Sequence, residues 1–186
     1  MDFERLLDRV RGIRDRLERK VFFAAVLAEA LKGEAIPVIV GGTAVEFYTM
    51  GGYSTLDLDL VCSRRDVLDG LLKGFGFRRY GRHWYREDVD LAVEVPDSVL
   101  VGSEEKLTKV EIGGLIAYMI GIEDIIADRL NAYVYWRSED DGRWARRMML
   151  LHRDKIDWPY LEERSKRDGT YDALRSLKAE VDGDGG

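Results

Sequence analysis

From Thr55 to Cys62 the chain alternates leucine with aspartate, and such a run can fold in few ways. A period of two is that of a β-strand with two unlike faces, so Leu56, Leu58 and Leu60 point one way and Asp57, Asp59 and Val61 the other. The leucine face needs a covering layer. The other face carries two carboxylates on backbone positions about 6.5 to 7 Å apart. Upstream, Ile36-Pro37-Val38-Ile39-Val40 is a β-branched apolar run and predicts a buried strand ending at Gly41-Gly42. Thr43 is placed to cap a short helix through Met50, with Ala44, Phe47 and Tyr48 on its apolar side, and Gly51-Gly52 offers a left-handed stop.

The flanks supply further layers. Leu6, Val10, Ile13, Leu17, Val21, Ala24 and Leu27 recur every three or four residues, which predicts one or two helices over Phe3 to Leu31. Ser63 to Leu72 reads as a helix capped by Ser63, followed by Gly74-Phe75-Gly76-Phe77. Asp88 to Val95 reads as a strand with Asp90, Ala92 and Glu94 on one face, stopped by Pro96. Two strands, Lys109 to Ile112 and Leu115 to Ile120, precede helices at Glu123 to Arg137, Arg143 to His152, and Tyr160 to Glu180 with a break at Gly169. The expected architecture is α/β (α+β), a small mixed sheet with helices on one face. Residues 1–33 form an N-terminal helical layer, 34–122 the core, 123–180 a C-terminal helical segment and 181–186 a frayed tail.

Composition narrows the function classes. A chain of 186 residues, 46% hydrophobic and 34% charged, suits one folded domain with a helical appendage. A net charge of -6 argues against nucleic-acid binding through bulk charge, though not against a local basic cleft. With Cys62 as the only cysteine, neither an intramolecular disulfide nor a cysteine zinc site is available, and a reducing cytoplasm is expected. The longest apolar runs, Val21 to Ala28 and Ile36 to Val40, fall short of the roughly 20 residues that span a bilayer, so no membrane partner is expected.

The chemistry lies in the glycine pair, the fourteen residues after it, and Asp57-Leu58-Asp59. Two carboxylates on one strand face can reach a common pair of hard divalent cations, which take oxygen ligands and substrate phosphates together. Glycine lets backbone approach a phosphate, and the following helix N-terminus offers free N–H groups. A third carboxylate, Glu94 or else Asp90, would complete a site that aligns an attacking oxygen with an α-phosphate. Arg82 belongs to a basic run (Arg78, Arg79, Arg82, His83, Arg86) interleaved with Tyr80, Trp84 and Tyr85. That run reads either as a triphosphate or RNA contact or as a solvated hairpin rim. Arg129, near Asp124 and Asp128, reads as a phosphate contact or an intrahelical ion pair. His83 and His152 lie far apart in sequence, so no histidine metal site is expected.

These residues resemble the nucleotidyltransferase superfamily: an apolar strand ending in Gly41-Gly42, a short helix, then a strand with Asp57-Leu58-Asp59. Val40 to Glu46 with Tyr53 to Asp59, and Glu123-Asp124-Ile125-Ile126-Ala127-Asp128-Arg129-Leu130, are similar to its minimal, AbiEii-toxin-like prokaryotic branch. The resemblance spans roughly Ile36 to Tyr160. It implies transfer of a nucleotidyl group from a nucleoside triphosphate to a hydroxyl on protein, RNA or a small molecule, with Mg²⁺ or Mn²⁺. Asp57, Asp59 and Glu94 would be the catalytic and metal residues, with Asp90 as a further ligand. Gly41, Gly42, Thr43, Thr55, Arg82 and Arg129 would surround the phosphates. The long gap after Gly42 and the third carboxylate as Glu depart from the family pattern. They leave open a catalytically silent binding module, such as one component of a toxin–antitoxin pair.

Overall fold

The computed structural model describes residues 2–183. The N-terminal apolar spacing becomes two helices, α1 (Phe3–Gly12) and α2 (Arg16–Ala30), each opened by an aspartate whose carboxylate accepts a first-turn N–H: Asp2 from Arg5, Asp15 from Glu18. Strand β1 (Val38–Ile39) is shorter than the apolar run, because Val40 already caps α3 (Gly41–Tyr48). Thr43 therefore lies inside that helix and does not cap it. Strand β2 (Asp57–Val61) starts after Leu56, which is 76% exposed, so the buried leucine row is Leu58 and Leu60 alone.

Helix α4 (Arg65–Gly74) begins after Arg64 without a side-chain cap, so Ser63 does not take the role its residue type suggested. The basic run forms a hairpin, β3 (Arg78–Tyr80) and β4 (His83–Arg86), turned through Gly81 at φ +62°. Strand β5 (Leu91–Asp97) runs through Pro96 rather than stopping there. Asp59 faces Glu94 but Val61 faces Asp97, so β5 holds one extra residue, and a bulge tolerates the missing proline N–H. Strands β6 (Thr108–Ile112) and β7 (Leu115–Met119) then lead to α5 (Ile122–Tyr135), α6 (Glu139–His152), α7 (Trp158–Asp168) and α8 (Tyr171–Gly183). Helix α8 continues to residue 183 with Val181 buried, which corrects the frayed tail over 181–183. The remainder of that expected tail, 184–186, lies outside the described residues.

Among the described residues the strands form one mixed sheet in the order β3-β4-β5-β2-β1-β7-β6, with β1/β7 and β2/β5 parallel and the other neighbours antiparallel. Leu58, Leu60, Val93, Trp84, Ile39 and Met119 fill one face and are buried. Helix α2 packs there on β1, β6 and β7, Phe23 stacks on Phe77, and Trp84 Nε1 donates to Asp69 of α4 at 3.1 Å. The opposite face holds Asp57, Asp59, Ala92, Glu94 and His83.

Polar groups tie α5 to α7 and to the segment around Ser103. Asp124 of α5, fully buried, accepts from Ser103 N–H at 2.8 Å, Tyr160 Oη at 2.8 Å and Arg164 Nη1 at 3.1 Å. Glu123 accepts from Asp157 N–H at 2.8 Å. Among the described residues no helix is long and apolar enough to cross a membrane.

Candidate active site

Strand register assembles the site. Asp57 and Asp59 leave β2 on the same face, and the parallel pairing with β5 sets Glu94 beside Asp59. On the far side of β5, His83 of β4 is the direct partner of Glu94. His83 Nδ1 lies 3.8 Å from Asp57 Oδ2 and 3.7 Å from Glu94 Oε2. One ligand atom from each of Asp57, His83 and Glu94 falls within 4.8 Å of the others. The structure thus brings Glu94 to the aspartates and adds a histidine that sequence separation had argued against. The short connection through Glu87 to Asp90 folds β5 back antiparallel along β4, and this sets Glu94 across from His83.

Each aspartate is held by a specific donor. Thr55 Oγ1 donates to Asp57 Oδ1 at 2.7 Å, and Thr43 Oγ1 donates to the Asp57 carbonyl at 2.9 Å. Gly42 N–H donates to Asp59 Oδ2 at 2.9 Å. The glycine pair is needed for this closeness. A Cβ on Gly41 would stand 2.7 Å from Asp59 Oδ2 at φ +54°, and one on Gly42 would meet Thr55 at 3.2 Å. Thr43, Thr55 and Gly42, expected around phosphates, are engaged here with the aspartates themselves.

Behind Thr55, Lys20 of α2 is buried, donating to Glu46 Oε2 of α3 at 2.5 Å and to the Thr55 carbonyl at 3.0 Å. Sequence reasoning passed over Lys20, although a lysine three residues after Leu17 interrupts the apolar stripe of α2.

Electrostatics report crowding of negative charge. Burial, then the neighbouring Asp57 charge, push the Asp59 carboxyl from its ordinary 3.8 up to about 6; Glu94 adds to this, while the Gly42 and Thr43 N–H groups pull it back. The Glu94 side chain is only 12% exposed. Partly buried carboxylates that repel one another suit a hard divalent cation, whose charge offsets the repulsion. Asp57 and Glu94, whose oxygens converge with the His83 ring nitrogen, and Asp59 beside Glu94 in the register therefore fit such an ion.

The remaining expected residues lie as follows. Arg82, at the hairpin turn and largely exposed, has Nε 3.1 Å from Glu94 Oε1. Arg129 binds Asp128 at 2.5 Å and Asp141 of α6 at 2.7 Å, and it also borders a cleft of about 230 Å³ walled by Val40, Gly41, Val61, Val99 and Ile125. Asp90 is not brought into the cluster. It takes a left-handed conformation at φ +47° before β5, which breaks the alternation that placed it beside Glu94, and it pairs with Arg19 at 3.3 Å. Of the rest of the basic run, Trp84 is buried and Arg86 binds Asp88 at 2.7 Å, so most of it is hairpin structure.

Residues 21–181 match the family described as "Nucleotidyltransferase of unknown function (DUF6036)". The chain belongs to this nucleotidyltransferase family. The match runs from α2 through α8, so the sheet, the carboxylate cluster and the C-terminal helices all lie within the family's extent. Among solved structures, the chain is similar to an antigenic nucleotidyltransferase-like protein from Paracoccidioides brasiliensis at 19% identity and a TM-score of 0.57, covering 87% of this chain and 93% of that one. It is also similar to the antibiotic-resistance factor ANT(2'')-Ia at 18% identity and a TM-score of 0.48, covering 98% and 97%. No protein with curated annotation matches by sequence. The first likeness bears out the mixed α/β fold expected of a nucleotidyltransferase.

Proposed function

We propose that the chain is a divalent-cation-dependent nucleotidyltransferase that moves a nucleotidyl group from a nucleoside triphosphate to a hydroxyl on a protein, an RNA or a small molecule. The observation that carries this reading is the register of β2 with β5, which sets Glu94 beside Asp59 and within reach of Asp57. A silent binding module has no need of three carboxylates crowded on one face.

In this reading Asp57, Asp59 and Glu94 hold Mg²⁺ or Mn²⁺, which supplies charge neutralisation at the phosphates of the donor. Thr55 and Gly42 keep the two aspartates aimed, so little reorganisation is needed when the substrate arrives. The apolar cleft beside Gly41, bordered by Arg129, receives the nucleoside, and Arg129 and Arg82 would supply positive charge to the triphosphate on leaving their present carboxylate partners. The acceptor oxygen bonds to the α-phosphorus as the bond to pyrophosphate breaks, and the hydroxyl proton passes to the carboxylate cluster. Catalysis is then mainly positioning and charge stabilisation.

The test is calorimetric titration of non-hydrolysable ATP, GTP, CTP and UTP analogues with and without Mg²⁺, on the native chain and on Asp57→Ala/Asp59→Ala. Binding of at least one analogue that needs the cation and is lost in the double variant is expected. Binding that ignores both the cation and the aspartates would favour the silent module.

A further inference from the structure

We infer that His83 is a direct ligand of the cation at this site, and that it biases the site towards Mn²⁺ or a similar nitrogen-accepting metal over Mg²⁺. The inference rests on the proposed cation site and adds a donor that the carboxylate pattern lacks. His83 Nδ1 faces Asp57 Oδ2 at 3.8 Å and Glu94 Oε2 at 3.7 Å. Both separations are too long for hydrogen bonds. They suit two ligands on one ion: with metal–ligand distances of about 2.1 Å, donors stand about 3 Å apart at a right angle and about 4.2 Å apart when opposite. The imidazole comes from the strand directly paired with the one bearing Glu94, so the ring is set by sheet register rather than by a loose loop.

Donor chemistry then decides the metal. Mg²⁺ takes oxygen and keeps its waters, whereas an imidazole nitrogen suits later transition ions, and Mn²⁺ accepts both carboxylate and imidazole. A metal on Nδ1 leaves the ring proton on Nε2, which then cannot accept from Arg82 Nε, now 3.4 Å away. Arg82 is 76% exposed at the side chain and is free to leave both His83 and Glu94. Metal entry thereby removes the His83 contact and leaves Arg82 only its exposed pairing with Glu94.

The experiment titrates Mn²⁺ and Mg²⁺ separately into the metal-free full chain and into His83→Gln and Asp57→Asn. Mn²⁺-bound samples are examined by pulsed electron paramagnetic resonance for coupling to an imidazole ¹⁴N, with circular dichroism confirming that each variant is folded. Mn²⁺ is expected to bind the native chain at least tenfold more tightly than Mg²⁺. A ¹⁴N coupling should be present in the native chain and absent in His83→Gln, whose Mn²⁺ affinity falls on the order of tenfold or more while its Mg²⁺ affinity changes little. Mn²⁺ binding that is lost in Asp57→Asn but unchanged in His83→Gln, with no ¹⁴N coupling, overturns the histidine ligand and leaves the proposed function standing. Failure of the native chain to bind either ion overturns both.

Discussion

Asp59 shows how one residue is shaped by its surroundings. Its carboxyl has an ordinary value of 3.8 and is pushed to about 6 in the fold, chiefly by burial and then by Asp57. Between those values the folded state holds more protons than the unfolded chain, so in the metal-free protein stability falls as pH rises from about 4 to about 6. The penalty is absent below that window and full above it. Asp59→Asn keeps an oxygen for the Gly42 N–H and removes the charge. The variant is expected to be more stable than the native chain at pH 7 by about 2 to 3 kcal/mol, with a flatter profile between pH 4 and 6. Urea denaturation across that range in the presence of a chelator measures it, and identical profiles for the two proteins would remove charge crowding from the account. The partners of Asp57 and Asp59 on their own strand face were legible because alternation is a local property of the chain. The identity of the third group was not, because Glu94 and Asp90 have the same parity in sequence and only the left-handed turn at Asp90 separates them.

Among the elements, the join between α2, α3 and the segment entering β2 carries the aspartates. Lys20, Glu46 and Thr55 lock it, and Thr55 in turn holds Asp57. The pair is buried, with Lys20 Nζ 2.5 Å from Glu46 Oε2, so removing one partner strands a charge away from water. Lys20→Met is expected to cost about 3 to 5 kcal/mol, and Lys20→Met/Glu46→Leu to recover much of that loss. Denaturant midpoints of the native, single and double variants check it. A single variant as stable as the double would show that Glu46 finds water or another partner. The elements themselves followed from periodicity, with errors at their ends: Thr43 and Ser63 had the chemistry of caps but not the place, since the chain turns into α3 at Gly41 and into α4 at Arg65. The hairpin of β3 and β4 was the element least apparent beforehand, because its charged and aromatic residues describe an exposed edge as well as a binding surface.

At the scale of the whole molecule one buried core runs without interruption from Leu6 in α1 to Val181 in α8, and Asp124 ties α5 to both the 103 segment and α7. The chain is therefore expected to unfold in one cooperative transition, with calorimetric and van't Hoff enthalpies equal. Differential scanning calorimetry of the metal-free protein measures this; two resolved transitions would make the helices after residue 122 a separate unit. The sequence by itself determined most of the order of elements, the shared face of Asp57 and Asp59 and the need for glycine at the start of α3, because periodicity and local backbone freedom are written in neighbouring residues. Only the tertiary structure decided that Glu94 joins the aspartates, that Asp90 does not, and that His83 stands across from Glu94. Those facts depend on which strands pair and in what register, and register is set by packing between segments far apart in the chain.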